Sequence, residues 1–309
     1  MANANSPLFI SPTLSAVAIK YRQKGMVADL VMPRTTVDKQ EFIFLQDRIG
    51  EWLTPPDTSV GRTGAPNALA NSAQDPIYLA TANQGLDEPV PNQDEKNGPT
   101  ESALARATQR VMSFVELRRE QRVAAACSTA GNFAYSAALS GASQWSDYTN
   151  STPFKDLMDN LDKPFMRPNT LMLGRTAWTG LQQNPRLVEA VLGRASTSGV
   201  ITREQLAAKL EIEQIIVGDG WINTAAKGQA VNKQRIWGKF CAGIYLGQDG
   251  GPDSGNTWGF TAQFGARIAG TIPDSDIGLF GGVKVRAGES VKEVVAAPEF
   301  GFLLTNVVS

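Results

Sequence analysis

Acidic residues beside glycine are the side chains of this sequence best placed for chemistry. Asp219 lies in the segment VGDG at the end of an aliphatic run, where a carboxylate could act as a general acid or base. The pairs Asp249/Asp253 and Asp274/Asp276 could approach a cation, but neither fits the spacing of a calcium-binding loop. Aspartate in turns commonly bonds its own backbone. We therefore interpret all of them as turn residues and predict no catalytic or metal-binding residue.

The sequence contains no histidine. A Ser-His or Cys-His nucleophile pair, a histidine-ligated metal and an imidazole switch near neutral pH are therefore excluded. Cys127 and Cys241 are far apart and form no CxxC motif, so we predict two buried thiols in a protein made in a reducing cytoplasm. We predict no enzymatic activity and no cofactor. An α+β enzyme that uses carboxylates is the alternative from a different class.

Phosphate-binding patterns do not occur in the sequence. The glycine-rich stretches at 247–256 and 281–282 lack the Lys-Ser or Lys-Thr pair of a phosphate-binding loop, and there is no dinucleotide fingerprint. The formal net charge is −1, from 29 Lys and Arg against 30 Asp and Glu. Because non-specific binding of nucleic acid needs clustered basic residues, we expect a chain that can lie beside DNA without holding it tightly.

The elements that position these residues begin with an arm at 1–25. Pro7 and Pro12 interrupt it and no basic leader precedes a long apolar stretch, so no signal peptide is predicted. No apolar run is long enough to span a bilayer, and we expect a soluble protein that stays where it is made. Residues 26–37 alternate as a strand does, with Pro33 favouring an edge position.

Residues 41–80 predict an extended hairpin. Hydrophobic patches at 42–45 and 77–79 flank a stretch rich in glycine and proline, which is typical of two strands joined by a long irregular tip. A structureless loop of this length is unusual inside a compact domain. We therefore expect the hairpin to pack against something outside its own fold.

A long helix is predicted at 99–127. Asn97 or Gly98 can cap it, Pro99 suits its first turn, and apolar residues then recur at helical spacing to its end. Its length of about 40 Å is well above that of the mean helix, which indicates a structural spine.

Charges alternate along this helix at Glu116, Arg118, Arg119, Glu120 and Arg122. Two interpretations stay open. The charges can form a solvated face with local i,i+3 and i,i+4 pairs, or they can contact a neighbouring subunit, for which Arg118, Glu120 and Arg122 are the candidates.

Helices and strands alternate in the rest of the chain, with no regular βαβ unit and no internal repeat, so the predicted fold class is α+β. The predicted helices are 153–162, capped by Thr152, 175–181, and 204–210, capped by Thr202. The predicted strands are 170–173, 214–217, 235–246, 258–268 and those of the tail at 282–308.

Six phrases follow one another in a specific order and spacing. They are VADLVMPRTTVDKQ (27–40), LDEPVPNQDEKN (86–97), VELRREQRVA (115–124), SGASQWSDYTNSTP (140–153), RPNTLMLGRTAWTGLQQNPRL (167–187) and IWGKFCAGIYL (236–246). Together they span most of the chain and resemble the major capsid proteins of tailed bacteriophages that have the Hong Kong ninety-seven fold.

The resemblance implies an α+β capsid fold with an N-terminal arm, an extended hairpin, a spine helix, and peripheral and axial domains. The implied segments are the arm (1–25), a peripheral strand (26–40), the hairpin (41–80), the peripheral domain (81–159) with its spine helix (99–127), the axial domain (160–265), and strands that return to the peripheral domain (266–309).

In this family the hairpin reaches over a neighbouring subunit. Trp52 and Leu53, apolar within a polar stretch, are the candidate anchors, with packing at the base of the hairpin as the alternative; Arg62 could pair with an acidic partner. The type member cross-links its shell through a hairpin lysine, but no lysine lies between Glu41 and Asn83. Non-covalent contacts or a decoration protein are expected instead. Because the arm starts almost directly, any scaffolding is expected from a separate protein.

The implied function is structural. The resemblance predicts a chain that self-assembles, as pentamers and hexamers, into an icosahedral head shell around double-stranded DNA held without sequence specificity. Portal, scaffolding and decoration proteins are further partners, with no membrane; assembly is expected in the bacterial cytoplasm and residence in the virion. An encapsulin-like nanocompartment around protein cargo is the near alternative, and a tail or baseplate component is a third.

Overall fold

The computed structural model describes residues 8–21, 25–47, 54–68, 74–97, 102–193, 199–226, 228–247 and 257–309. The helices are α1 (Pro12–Lys20), α2 (Ala28–Val31), α3 (Asn92–Asn97), α4 (Ala103–Ser128), α5 (Pro153–Leu161), α6 (Arg175–Gln182), α7 (Pro185–Leu192) and α8 (Arg203–Leu210). The strands are β1 (Phe9–Ile10), β2 (Arg34–Val37), β3 (Glu41–Asp47), β4 (Gln74–Ala80), β5 (Ala82–Pro91), β6 (Tyr135–Ala138), β7 (Thr170–Gly174), β8 (Gln214–Gly218), β9 (Trp221–Asn223), β10 (Lys233–Arg235), β11 (Cys241–Ile244), β12 (Gly259–Asp274), β13 (Gly282–Val295) and β14 (Gly301–Thr305). Within these residues, none of the helices has both the length and the apolar character that crossing a membrane requires.

The first sheet is built on a long ribbon of two antiparallel strands, β12 and β13. Strand β5 pairs with the outer edge of β13, while β1 and β2 pair with the other edge of β12. The register shifts between Phe264 and Ile268, at a bulge that contains Gly265 with φ of +65°. Because an irregularity of this kind bends a strand, the ribbon changes direction at this point.

Helix α4 is the spine of the molecule and spans 26 residues. Val111, Met112 and Val115 pack with Ala269 and Ala287 of the ribbon in one apolar cluster. The long-helix prediction is confirmed, but the helix begins at Ala103. Its predicted cap Asn97 lies in the separate helix α3, while Gly98 and Pro99 fall outside the described residues.

The second sheet has the strand order β6-β14-β11-β7-β8. Every residue of β7 and β11, two of its three inner strands, is buried. Helices α5 to α8 supply most of the remaining apolar surface of its core, which includes Leu157, Trp178, Leu187 and Leu206. The predicted helices 153–162, 175–181 and 204–210 and the predicted strands 170–173 and 214–217 are confirmed. Thr202 and Gln205 exchange hydrogen bonds in a capping box at the start of α8, whereas Thr152 makes no side-chain capping bond to α5.

A shared apolar cluster joins the two sheets. Val123 of the spine helix, Met172 of β7, Trp237 and Trp258 belong to this one cluster. The two sheets are therefore held together by buried side chains rather than by a linker.

Two of the strand predictions are wrong in part. Residues 26–37 form helix α2 and then strand β2, because the carboxylate of Glu120 accepts hydrogen bonds from the Val27 and Ala28 amides and so satisfies the start of a helical turn. Residues 235–246 form the end of β10 and then β11, because Trp237 between them turns into the shared core.

The sheets divide the chain differently from the segments implied by the resemblance. Strand β12 begins at Gly259, before the expected boundary at 265/266, and pairs with β13 in the first sheet. Strand β14 pairs with β11 and β6 in the second sheet. The tail after 266 is therefore not one unit, because its last strand crosses back to the other sheet.

Candidate assembly surfaces

The hairpin of β3 and β4 packs on the ribbon through one apolar face. Antiparallel pairing places Phe42 opposite Leu79 and Phe44 opposite Ile77, so these four side chains share one face. Phe44 is fully buried, with its ring centroid 5.8 Å from that of Phe260. This face anchors the base of the hairpin to the subunit.

The opposite face of the hairpin base is also apolar, yet it is exposed. Ile43 pairs with Tyr78, and Leu45 lies on the same face. Their exposed fractions are 52% for Ile43, 45% for Leu45 and 76% for Tyr78. A two-stranded ribbon that is apolar on both faces is typical of one that is covered on both, and we refer to these three residues as the outer hairpin face.

Sequence reasoning missed the outer hairpin face, although a signal for it exists. The run FIFL at 42–45 has no polar residue at alternate positions, whereas a strand buried on one side alternates apolar and polar residues. The sequence-based candidates Trp52 and Leu53 lie outside the described residues.

The described part of the hairpin tip, 54–68, is exposed throughout, and Arg62 lies within it. A turn closed by the Gly64 amide and the Gly61 carbonyl oxygen, 3.0 Å apart, presents Arg62. The side-chain amide of Asn67 donates to the Asp57 carbonyl oxygen over 2.9 Å. Arg62 therefore points into solvent in the isolated subunit.

The three candidate charges on the spine helix are not brought together. Arg118 is exposed and donates to Gln121 over 2.8 Å. Arg122 is half-buried and its guanidinium binds the Glu293 carboxylate, with Nη2 and Oε1 2.9 Å apart.

The expectation of an exposed charge is wrong for Glu120. Its carboxylate is buried and accepts hydrogen bonds from the Val27 and Ala28 amides and from the Trp237 indole, whose Nε1 lies 2.6 Å from Oε1. Burial raises the pKa of the Glu120 carboxyl, and these three donors oppose that rise. Glu120 thus joins α2, the spine helix and the shared core inside the subunit.

A buried ionic network lies next to Glu120, where the N-terminal segments meet the spine helix and the ribbon. Glu289 accepts from Arg34 over 2.8 Å and from Arg267 over 2.9 Å. Arg34 also binds Asp29, and so does Arg119 of the spine helix. Burial alone would raise the pKa of Glu289, but the neighbouring guanidinium groups of Arg34 and Arg267 hold it below its ordinary value.

Arg267 connects this network to helix α1. Its Nη1 donates to the carbonyl oxygens of Ala18 and Tyr21, over 3.3 Å and 3.1 Å, at the C-terminal end of that helix. The same nitrogen lies 3.0 Å from the Glu116 carboxylate. Cations are favoured at helix C-termini, so Arg267 stabilises the docked position of α1.

The carboxylates considered for chemistry behave as structural residues where they are described. Asp219 lies 3.7 Å from Arg175 and 3.9 Å from Arg235. Asp274 accepts from the amide of Asp276 over 3.0 Å, as expected of a turn; Asp249 and Asp253 lie outside the described residues. Within the described ranges, no group of His, Cys, Asp and Glu is arranged to hold a metal ion.

Both cysteines are buried and free, as predicted. Burial raises the pKa of the Cys127 and Cys241 thiols well above its ordinary value. Since the thiolate is the reactive form, neither cysteine is suited to be a nucleophile.

Comparison with known proteins identifies relatives of this chain and solved structures that share its fold. No protein-family model matches the chain. The major capsid protein of Pseudomonas phage JBD67 is 40% identical over 309 residues, which cover 99% of each chain. Two solved structures share the fold. A phage-related protein from Bordetella bronchiseptica has a TM-score of 0.75 at 22% identity, covering 97% of this chain and 98% of that one. The capsid of cyanophage P-SCSP1u has a TM-score of 0.54 at 11% identity, covering 92% and 88%.

The long ribbon, the spine helix and the two-faced hairpin, together with the likeness to these structures, define a protein with the Hong Kong ninety-seven fold, as the sequence resemblance predicted. At 40% identity over its full length, the chain belongs to the family of major capsid proteins of tailed bacteriophages. It is a structural subunit of the capsid and is located in the virion.

Proposed function

We propose that copies of this chain close, as pentamers and hexamers, into an icosahedral head shell around double-stranded DNA. The observation that carries the proposal is the outer hairpin face, where Ile43, Leu45 and Tyr78 form an apolar surface on an element already anchored by its other side. A neighbouring subunit that covers this surface removes it from water, which is the main favourable term in association.

In this proposal the contacts between subunits are non-covalent. The sequence has no lysine in the hairpin to form a cross-link of the type member's kind. Trp52, Leu53, Arg62 and Arg118 are further proposed contacts. Many modest contacts suffice, because they act together once a shell has closed.

The first sheet and the spine helix correspond, in our proposal, to the peripheral domain, and the second sheet to the axial domain around the five-fold and six-fold positions. The DNA is enclosed without tight or sequence-specific binding, which agrees with a net charge of −1. Portal, scaffolding and decoration proteins are the other proposed partners. Assembly takes place in the bacterial cytoplasm and involves no catalysis.

Electron microscopy of native particles, combined with nuclease digestion and measurement of their nucleic acid, tests this proposal. Closed icosahedral particles filled with double-stranded DNA are expected. Shells around protein cargo would indicate a nanocompartment, and tubes or open rings a tail component. A small oligomer with turnover in every condition would contradict assembly altogether.

A variant of the outer hairpin face tests directly whether this surface is a contact between subunits. The double substitution Ile43→Ser with Tyr78→Ser changes two exposed side chains, so the isolated subunit should keep its fold while shell yield falls sharply. The matched control, Ile43→Val with Tyr78→Phe, keeps the surface apolar and should assemble like the wild type. Equal shell yields from the two variants would show that this face is not a contact.

A further inference from the structure

The exposed face of the spine helix carries arginines and no carboxylate of its own. Both glutamates of the helix, Glu116 and Glu120, are buried, whereas Arg106, Arg110 and Arg118 are exposed. The three arginines lie four or eight residues apart, so they share one ridge of the helix. Charges that alternate in the sequence thus become, in the folded subunit, a basic ridge on a helix whose acidic residues face inward.

Phe114 occupies the remaining position of this ridge, four residues from Arg110 and four from Arg118. Its side chain is 47% exposed. Successive members of the ridge are about 6 Å apart along the helix axis, so an aromatic ring lies between cations on both sides. Large side chains spaced by four residues form the surface that packs into the groove of a second helix, and here they remain exposed.

Leu86 of β5, the last strand of the first sheet, adds a second apolar side chain beside the ridge. Two residues before and after it, Gln84 and Glu88 accept hydrogen bonds from Arg122 and Arg110 of the spine helix. Side chains two residues apart on a strand share a face, so Leu86 faces the helix between these two arginines. It is 48% exposed. We refer to the following five residues as the spine ridge: Leu86, Arg106, Arg110, Phe114 and Arg118.

The excess of positive charge lies towards one end of the spine ridge. At the other end, an open cavity of about 370 Å³ is lined by Glu88 and Asp94 together with two of the arginines, so charges of both signs meet there. Arg118 instead donates to the neutral side chain of Gln121 over 2.8 Å. A carboxylate supplied by a partner is therefore stabilised most at Arg118.

We propose that the spine ridge is the docking site for an amphipathic helix of a separate protein, in which carboxylates flank large apolar side chains. The apolar side chains cover Phe114 and Leu86. The carboxylates bind Arg106 and Arg118, which are about 18 Å apart along the spine helix, through charge-assisted hydrogen bonds. This inference rests on the proposed function, and it assigns Arg118 to the separate protein rather than to a copy of this chain.

The apolar centre of the spine ridge favours a protein over the enclosed DNA. A phosphate backbone is bound by clustered basic residues, and two apolar side chains contribute nothing to that attraction. Phe114 and Leu86 are stabilised instead by apolar groups that remove them from water. A partner that satisfies the whole ridge therefore combines apolar and acidic side chains, as an amphipathic helix does.

The helices of this chain do not match the spine ridge. Among the described helices other than the spine helix, exposed large apolar residues occur at Ile19, Leu30 and Leu192. None of these three lies between two carboxylates of its own helix. A helix of a separate protein is therefore the occupant to which we commit.

The first test titrates dissociated full-length subunits with three fluorescent helical peptides of equal length. The first peptide has leucines on one face flanked by glutamates, the second replaces the leucines by glutamines, and the third replaces the glutamates by lysines. Fluorescence anisotropy measures each Kd. The first peptide should bind, more weakly at high salt, and the other two should bind at least about tenfold more weakly than the first. A wild-type subunit that binds none of them, or all three equally, would overturn the proposal.

Two pairs of matched variants assign the binding to the spine ridge. Phe114→Ser removes the apolar centre, and Phe114→Leu keeps it. Arg118→Glu reverses a cation of the ridge, and Lys209→Glu reverses an exposed cation on α8. Phe114→Ser and Arg118→Glu should each weaken binding of the first peptide at least about tenfold, while the two controls match the wild type and circular dichroism shows all four folded. Undiminished binding by folded Arg118→Glu would contradict the assignment.

A labelling measurement identifies what covers the spine ridge in particles. Both native cysteines are buried, so Phe114→Cys adds one accessible thiol. This thiol should react with a maleimide in dissociated subunits and in shells formed by the purified chain, and the first peptide should protect it. Protection in shells of the purified chain alone would make a second copy the occupant and would overturn the proposal.

The remaining outcomes separate this inference from the function on which it rests. Duplex DNA that binds the wild type as tightly as the first peptide does, and loses binding in Arg118→Glu, would make the ridge a DNA contact. That result would overturn the inference and leave the proposed shell intact. A wild-type chain that never forms rings or shells, with or without the first peptide, would overturn the proposed function itself.

Discussion

The guanidinium of Arg267 and the carboxylate of Glu289 form a buried ion pair, with 2.9 Å between Nε and Oε2 and exposed fractions of only 4% and 0% for the two side chains. The pair joins the two strands of the ribbon next to the bulge in β12. Through Arg267 it reaches the end of α1, and through Glu289 it reaches Arg34. Segments that are distant in the sequence thus meet at one polar centre in the capsid subunit.

Removing one partner of this pair should destabilise the subunit strongly. Arg267→Met leaves Glu289 buried with fewer cationic partners, and breaking a buried pair in this way costs about 3–5 kcal/mol. Urea denaturation of dissociated subunits measures the loss in the free energy of unfolding. Arg286→Met is the control, because Arg286 forms an exposed ion pair with Asp87 and such pairs contribute at most about 1 kcal/mol. Similar losses for the two variants would contradict the importance of the buried network.

The same network should make the subunit sensitive to acid. The pKa of Glu289 is lowered in the folded state, so its stabilising contribution is complete above the ordinary value of 4.5 and is lost as the pH falls through the lower, folded value. The pKa of Asp29 is lowered too. The free energy of unfolding, measured from pH 7 downward, should begin to fall below about pH 4.5, and it should fall more steeply there for the wild type than for Glu289→Gln. Parallel curves would show that Glu289 does not contribute.

The anchor of the hairpin should depend on Phe44. Phe44→Ala removes a fully buried ring beside Phe260 and should lower the free energy of unfolding by about 3–5 kcal/mol. Tyr78→Ala, on the exposed face, should change the stability of the isolated subunit little and should lower shell yield instead. Hydrogen exchange at the amides of β3 and β4 should rise in Phe44→Ala only. Slow exchange in both variants would contradict the anchoring role.

Glu120 should act within the subunit rather than between subunits. Glu120→Gln places an amide donor among the donors from Val27, Ala28 and Trp237, and an unsatisfied buried polar group costs about 1–3 kcal/mol. Arg118→Gln, an exposed change on the same helix, should alter the stability by no more than about 0.5 kcal/mol. Denaturation of isolated subunits measures both. A Glu120→Gln subunit that is fully stable but fails to assemble would restore the surface role.

Elements with a strong local pattern could be predicted from the sequence. The spine helix repeats its apolar residues with the helical period, which by itself specifies the element. The hairpin strands, β7 and β8 are short apolar runs bounded by turn-forming or polar residues, and the first part of β12 alternates, which is enough to predict strands. The ordered phrases between residues 27 and 246 were sufficient to indicate the family and its fold.

The tertiary structure decided which charges are internal and which strands are partners. Glu120 and Arg118 belong to the same alternating pattern, and only contact with Trp237 and the α2 backbone makes one buried and leaves the other exposed. Residues 28–31 are helical rather than extended because Glu120, about ninety positions away, accepts hydrogen bonds from the Val27 and Ala28 amides at the start of the helix. Strand β14 joins the second sheet through pairing with β11. These outcomes depend on contacts between residues far apart in the chain, and a local pattern holds no information about which distant partner a side chain or strand will meet.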